Sequence, residues 1–547
     1  MFEKQLPAHP NLEQYKKQAK ERVRTHALGD SSALERIARN HPRLHKKSHL
    51  EIHAAAFSLT DAQLILAREH GFESWPKFAR HIETLHLIES IANLTDPVSA
   101  FIEVACVPRH AGHGSGTIEH ADLILARYPE VATANIHTAS ILADEPTVRR
   151  LLTANPQLAT ALGGPHGWNP LTHLCFSRYL RLDKSRSEAF VRTAQTLLDH
   201  GASANTGWYE MIDHPNPRPT LESCIYGAAG IAQHPGLTKL LLDNGADPND
   251  EETPYHIPET YNNAVMKIVV ESGKLNLDSL TTLLIRKADW HDEEGMQWLL
   301  ERGANPNRTS QWKNSPFYHS VLRDNSLDMI KLLLGHGADP SLINARDNNT
   351  SVTARAARRG RADILNLLEQ RNIPIHLDPL DQLIAAAAQG RDQTIRFLTA
   401  SQPHLVPQLL SQGGTLLAFF AGNGNTEGVR SLLDLGIPAD ALTPEGDPYF
   451  ELAKNSTALH SAAWRAHPDT VKLLIARGTP LNAVDARGRT ALHLAIRACV
   501  DSHWTYRRST ESIQALLEAG ASTTNIELPT GYDEADALLR QYATAQT

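Results

Sequence analysis

Three carboxylates in the first half of the chain, Glu210, Glu251 and Glu252, stand among aromatic and imidazole side chains in loops rich in Gly, Pro and Asn. The loops read "GGPHGWNP", with His166 and Trp168; "ASANTGWYEMIDHPNPRP", with Trp208, Tyr209, Glu210 and His214; "ADPNDEETPYHIPETY", with Glu251, Glu252, Tyr255 and His256; and "ANPNRTSQWKNSP", with Trp312. A flat apolar ring beside hydrogen-bond acceptors suits a groove for sugars or other polyhydroxylated ligands. Two carboxylates about 5–9.5 Å apart are also enough for glycoside hydrolysis, and no sequence motif announces that spacing. Glu210, Glu251 and Glu252 are therefore the candidate acids or bases. His166, Trp168, Trp208, Tyr209, Tyr255, His256 and Trp312 are the candidate ligand-binding set. Later loops, such as "GTPLNAVDARGRT", carry no aromatic, so the decoration is local. This predicts one groove between His166 and Trp312, faced by Glu210 and Glu252, for a small polar molecule such as a carbohydrate, or for a peptide. The competing reading is that large loops bury a Trp as an anchor while acids cover the exterior.

A second cluster, "DWHDEE" at Asp289 to Glu294, also looks chemical. Counting back from Gly303 puts Asp292 at the start of a helix, where an aspartate caps free N–H groups and the next two glutamates favour the helix dipole. An asparagine should then serve as well at 292. Trp290 and His291 are not explained by capping.

Other chemistry has no motif to carry it. There is no GxxxxGK[ST], no HExxH and no EF-hand loop. "GHGSG" at Gly112 to Gly116 lacks the spacing of a nucleophile elbow and reads as a linker. Cys106, Cys175, Cys224 and Cys499 show no CxxC spacing, so structural zinc is not expected and the usage fits a reducing compartment. No metal and no cofactor are expected. A formal net charge of -8 argues against a nucleic-acid partner. No stretch approaches the roughly 18 apolar residues of a membrane span, and the first residues hold no signal-type apolar core, so a cytoplasmic, membrane-free protein is expected.

The elements that must position these residues show themselves by self-similarity. His460 precedes Gly478 by 18 positions, His319 precedes Gly337 by 18, and His137 precedes Asn155 by 18. Gly, or Asn155 in its place, suits the positive φ that follows many helices. Apolar runs "VKLLIARG", "IKLLLGHGADP", "KLLLDNGADPN" and "WLLERGANPN" close the units, and Gly303 to Gly337 is 34 residues. "STALHSAA" and "GRTALHLAI" resemble the Thr-Pro-Leu-His-x-Ala opening of the ankyrin repeat family, with Ala458 and Ala491 in the proline's place. "GADPN" from Gly245 matches its hairpin entry, and "NGNTEG" at Asn423 to Gly428 its inter-helix turn.

The resemblance implies an all-α ankyrin-repeat solenoid of about eleven partly degenerate helix-pair units, with His460 and His493 bonded within the framework. Its finger loops and concave face would then mediate protein–protein interaction with an unknown partner. An enzyme or small-ligand binder in the finger groove, for example a carbohydrate-directed hydrolase, is the alternative. Residues 1–94 do not follow the repeat and read as a helical module, similar to those preceding the repeats in some bacterial ankyrin proteins. Residues 95–530 form the solenoid, and 531–547 a capping helix and tail. Between Asn11 and Lys47 ten Lys or Arg face four acids, either a solvated helical face or a docking site for an acidic partner. "SLTDAQ" places Thr60 and Gln63 at capping-box spacing.

Three departures from the repeat stand out. His173 to Gly201 spans 28 residues and His493 to Gly520 spans 27, so two units carry insertions between their helices. Both inserts mix aromatics with arginines: Arg178, Tyr179, Arg181 and Arg186, then Trp504, Tyr506, Arg507 and Arg508. Each is either a longer helix with solvated ends or a cationic, stacking-capable surface for an anionic ligand or partner. Lastly, Gly245 to Gly303 holds three helical runs instead of two.

Overall fold

In the computed structural model, short helices start at side-chain caps and stop at glycines, as the repeat spacing requires. Asn169, Ser315, Ser351, Asp378, Thr457 and Thr490 cap first helices, and Asp144, Asp292, Ser326 and Asn425 cap second helices. Gly337 and Gly478 sit at φ 82° and 78°, where a side chain would strain the turn. Asn155 departs from this expectation. Its φ is -150°, and its side chain instead accepts from Gln157 N to start the 3₁₀ turn Pro156–Thr160. The structure describes residues 4–7, 9–55, 57–110, 112–212 and 217–545, with backbone alone at 212 and 543–545. His214 lies outside the described residues.

Among the described residues the pairs run from Pro97–Ala105 with Glu119–Arg127 to Ala491–Val500 with Glu511–Glu518. A single pair cannot bury its apolar stripe, so the stripes meet between neighbours. In the unit 458–476, Leu459, Ala462, Val471 and Leu474 are fully buried. His460 shows how the framework is tied: Nδ1 lies 2.8 Å from Thr457 Oγ1, and Nε2 lies 3.0 Å from Arg489 O in the next unit. His493 repeats the first contact with Thr490, also at 2.8 Å.

The chain forms two compact units, Met1–Thr253 and Pro254–Thr547. The first unit opens with helices Leu12–Ala27, Ser31–Asn40, His49–Ala54, Leu59–Glu69 and Trp75–Ala92. Tyr15, Phe78 and Ile82 form one of their cores. Part of the basic character of this stretch is internal: Arg22 and Arg36 converge on the buried Glu69. The capping box here is Ser58 with Asp61, not Thr60 with Gln63. Ser58 is the last extended residue, so the helix begins two residues before the expected place.

The first unit also holds the longest strands. β1 (Gly207–Ile212) and β2 (Arg218–Ser223) pair antiparallel, whereas the other ladders among the described residues are two residues long. In the second unit the three expected runs are Ala264–Glu271, Leu277–Asp289 and Glu293–Glu301. Later repeats of that unit curl back on earlier ones. Arg359 and Arg465 both reach the buried Asp324, and the Tyr449 hydroxyl donates to Asp289 O at 2.5 Å.

Candidate functional site

Alternation along β1 decides what the enlarged loop presents. Trp208 pairs with Glu222 and Glu210 with Thr220, so these four share one face. Tyr209 pairs with Leu221 and Met211 with Pro219, which places them on the other. The inner face is closed by aromatic stacking: Trp208 lies 5.2 Å from Trp168, nearly parallel to it, and 5.8 Å from Phe176. Trp168 and Trp208 are only 4% and 6% exposed, so both rings are anchors between neighbouring loops. His166 stacks beside Trp168 at 4.6 Å, and its Nε2 lies 3.4 Å from Glu103.

The carboxylates on this inner face meet a histidine. His113 Nε2 lies 3.0 Å from Glu210 Oε2, and Nδ1 lies 2.9 Å from the Tyr226 hydroxyl and 3.8 Å from Glu222 Oε2. Glu222 is 1% exposed, so its carboxyl needs polar partners close by, and the His113 ring is one of them. Tyr226 opens a π-helical turn, Tyr226–Ile231, in which Gly227 lets the backbone approach Cys175 O; a Cβ there would lie 2.7 Å from that oxygen. One ligand atom from each of His113, Glu210 and Glu222 lies within 4.8 Å of the others, and among the described residues this is the group of three that could hold a metal ion. Two carboxylates and an imidazole also suit proton transfer.

The outer face is different. Tyr209 is 69% exposed and Met211 56%, with Pro219 exposed and Leu221 half-buried beside them. Glu251 leaves the inner group altogether: it forms a two-pronged ion pair with Arg218 at the start of β2, lining a separate cavity with Asp250 and Thr220.

Models described as "Ankyrin repeats (3 copies)" match residues 383–485 and 439–526, and one described as "Ankyrin repeats (many copies)" matches 284–334. These stretches are ankyrin repeats. The chain is 24% identical to ankyrin repeat and KH domain-containing protein mask-1 of Caenorhabditis elegans over 468 residues, 80% of this chain and 16% of that protein. It is 26% identical to human transient receptor potential cation channel subfamily A member 1 over 282 residues, 47% of this chain and 24% of the channel. A putative ankyrin repeat protein of Rickettsia bellii is 32% identical over 142 residues, 23% of this chain and 55% of that protein. The chain therefore spans less than a quarter of the first two relatives. A solved ankyrin repeat domain, human ASB11, is 22% identical, with 44% of this chain and 98% of that chain covered at a TM-score of 0.20.

The sequence-predicted residues fall in different settings. His166, Trp168, Trp208 and Glu210 are brought together in the first unit, with both tryptophans buried instead of forming open platforms. Glu251 is turned to Arg218. Glu252 begins the short helix Glu252–His256. In the second unit the Tyr255 ring lies under the Arg286 guanidinium at 4.0 Å and 5.8 Å from Trp312, while His256 Nδ1 is 3.0 Å from Glu259. Glu210 and Glu251 are thus set apart, because the hairpin pleat sends Glu210 inward and Arg218 draws Glu251 aside. His113 and Glu222 went unrecognised in the sequence. The first sits in the stretch read as a linker. The second would have emerged had "GWYEMI" and "RPTLES" been paired as strands, since Glu222 then falls opposite Trp208.

The acidic turn is a helix start and more. Asp292 accepts from Gly295 N at 2.9 Å, as expected of the cap. Its other oxygen takes Lys287 Nζ at 2.6 Å, and that lysine is completely buried. Asp289 is held by Arg286, His319 and Arg323 at 2.5, 2.7 and 2.6 Å, and these partners keep its carboxyl well below the ordinary range despite burial.

Proposed function

We propose that the chain is a binding scaffold whose first unit docks a protein partner on the outer face of the 207–223 hairpin. Ankyrin repeats support a protein-interaction scaffold in general. The observation that carries the specific reading is the apolar outer face itself: Tyr209 and Met211 stand 69% and 56% exposed on a hairpin pinned from behind by Trp208, Glu210 and Glu222. A rigid, backed aromatic that loses little entropy on contact is the side chain interfaces use as an anchor. Within this reading, residues 1–94 are the helical module, 95–530 the solenoid and 531–547 the cap. No helix among the described residues is long and apolar enough to cross a membrane. The test is comparative capture from extracts of the source organism. A Tyr209→Asp/Met211→Asp chain should lose a partner that wild type and Lys472→Gln both retain. Equal recovery by all three would remove the hairpin from the interface.

A second reading, a small-ligand or catalytic site on the hairpin's inner face, is favoured by the His113–Glu210–Glu222 spacing. Elemental analysis of dialysed protein tests it: a stoichiometric metal lost in Glu222→Gln supports it, and no metal above the level of that variant counts against it.

A further inference from the structure

The second unit contains a cavity of about 500 Å³ lined by the turns between its helices and by the insert of the last full repeat. Two arginines sit in its wall. Arg361 spends Nε and Nη2 on Asp363 at 2.8 and 2.7 Å, and its Nη1 is buried with no partner. Arg465 gives Nη1 to Asp324 at 2.7 Å and Nη2 to Asn423 at 3.5 Å, and its Nε is likewise buried with no partner. Both side chains are 7% exposed, so water does not easily satisfy either N–H. Arg507, exposed at the rim, donates Nη1 to His467 Nε2 at 3.2 Å.

The acids of this wall are already committed. Asp324 is shared by Arg359 and Arg465, Asp363 is taken by Arg361, and Glu293 lies exposed at the edge. His467, His291 and His503 all line the space, and all are held neutral. Burial and the neighbouring Arg465 and Arg507 push His467 down to about 3. Burial, His503 and Arg465 push His291 down to about 4. Burial is the main cause, and the arginines facing these imidazoles add to it. Apolar surface is present as well. The Arg465 guanidinium lies 4.2 Å from the Phe450 ring and 4.7 Å from that of Trp504, and Tyr261 and Tyr506 stand 58% and 64% exposed at the edge.

We propose that this cavity binds a small phosphate monoester, the phosphate oxygens taking Arg361 Nη1, Arg465 Nε and Arg507, and an attached ring resting against Tyr261 and Tyr506. A tetrahedral anion accepts from donors on several sides, which a single planar carboxylate does not match, and arginine forks suit it. The site lies wholly in the second unit and does not rest on the hairpin reading. The other aromatic–arginine insert also holds buried donors, Arg178 Nε and Arg181 Nε, but its guanidinium groups are turned to the protein itself. There Arg186 pairs with Asp183, and Arg178 and Arg181 donate to backbone carbonyls of Val104 and Gly116.

The test is calorimetric titration of the full chain with inorganic phosphate and with phenyl phosphate, repeated with sodium acetate. Phosphate should bind, phenyl phosphate should bind at least threefold tighter, and acetate should not compete at equal concentration. Arg507→Gln is exposed and should fold; it should weaken both phosphates about tenfold. Arg361→Gln should weaken them further, with circular dichroism reporting its fold. Tyr506→Ser should erase the preference for phenyl phosphate while leaving inorganic phosphate bound, and Lys472→Gln should match wild type. No heat above the acetate level, or binding that Arg507→Gln and Tyr506→Ser leave unchanged, would overturn the proposal.

Discussion

Asp292 can be tested to the point where capping and ion pairing separate. If capping were its whole role, asparagine would replace it at almost no cost, because the amide oxygen still accepts from Gly295 N. The structure predicts otherwise. Lys287 Nζ is fully buried and has three acceptors: Asp292 Oδ2 at 2.6 Å, Thr260 O at 2.7 Å and Pro258 O at 3.3 Å. The gross attraction at 2.6 Å is about 6 kcal/mol at an effective dielectric of about 20, set against several kcal/mol of desolvation for each ion. The pair is therefore worth little compared with a well-packed apolar pair, but removing one member strands the other. Asp292→Asn should cost about 3 kcal/mol, and Asp292→Ala about 4 kcal/mol, since it also loses the cap. Lys287→Met combined with Asp292→Asn should recover at least about 2 kcal/mol of the summed single losses. Gly295→Ala gives a change of sign. Alanine normally stabilises a helix by about 1 kcal/mol over glycine, but here the new Cβ would lie 2.6 Å from Asp292 Oδ2 and 2.9 Å from Lys287 Cδ, so the substitution should destabilise. Urea denaturation read by circular dichroism, with hydrogen exchange at Gly295 and Met296, measures all four. An Asp292→Asn loss under about 0.5 kcal/mol would refute the buried-pair reasoning and return the residue to a plain cap.

Leu474 is fully buried between repeats, so Leu474→Ala should lose about 2–5 kcal/mol in the same assay; a loss below 1 kcal/mol would reject the repeat register there. Tyr209→Ala should change stability by less than about 0.5 kcal/mol, as befits an exposed side chain, while Trp208→Ala should cost about 3–5 kcal/mol. Acid should weaken the fold well before the carboxylates titrate. His137 and His291 are pushed down to about 4, and His173 and His467 to about 3, chiefly by burial. Their folded pKa values lie below the unfolded value near 6.5, so the unfolded chain binds more protons between them. Stability is then intact above about pH 6.5 and falls as pH drops toward 4, by up to about 1.4 kcal/mol per pH unit for each histidine. Urea midpoints that are equal at pH 7 and pH 4.5 would contradict this.

Much of the fold was legible because a repeat states its own register. The 18-residue spacing of His460 to Gly478 and His319 to Gly337 fixed helix, turn and stop together, and Asp292 was placed by counting alone. Asn155 was misread because identity at a position does not force its φ: a following proline gave the chain another exit, and the side chain found Gln157 N instead. The candidate site was legible only as a list of residue types. Trp168, Trp208 and Glu210 do meet, but through a six-residue ladder whose pairing no repeat encodes. Which of Glu210 and Glu251 turned inward depended on that pleat and on Arg218. The pair Lys287–Asp292 and the convergence of Arg465 on Asp324 join residues whose partnership comes from packing, and neither has a spacing signal.

The central claim is that Tyr209 is a contact residue for a protein partner. The direct measurement is site-specific photo-cross-linking in cells of the source organism, with a benzophenone side chain at position 209 and, as controls, at the equally exposed Phe397 and at Tyr506. The account predicts one discrete cross-linked protein, identified by mass spectrometry, at 209 and not at 397 or 506. Adducts at 209 that match those at both controls, or no adduct at 209 while the chain is expressed and folded, would contradict it.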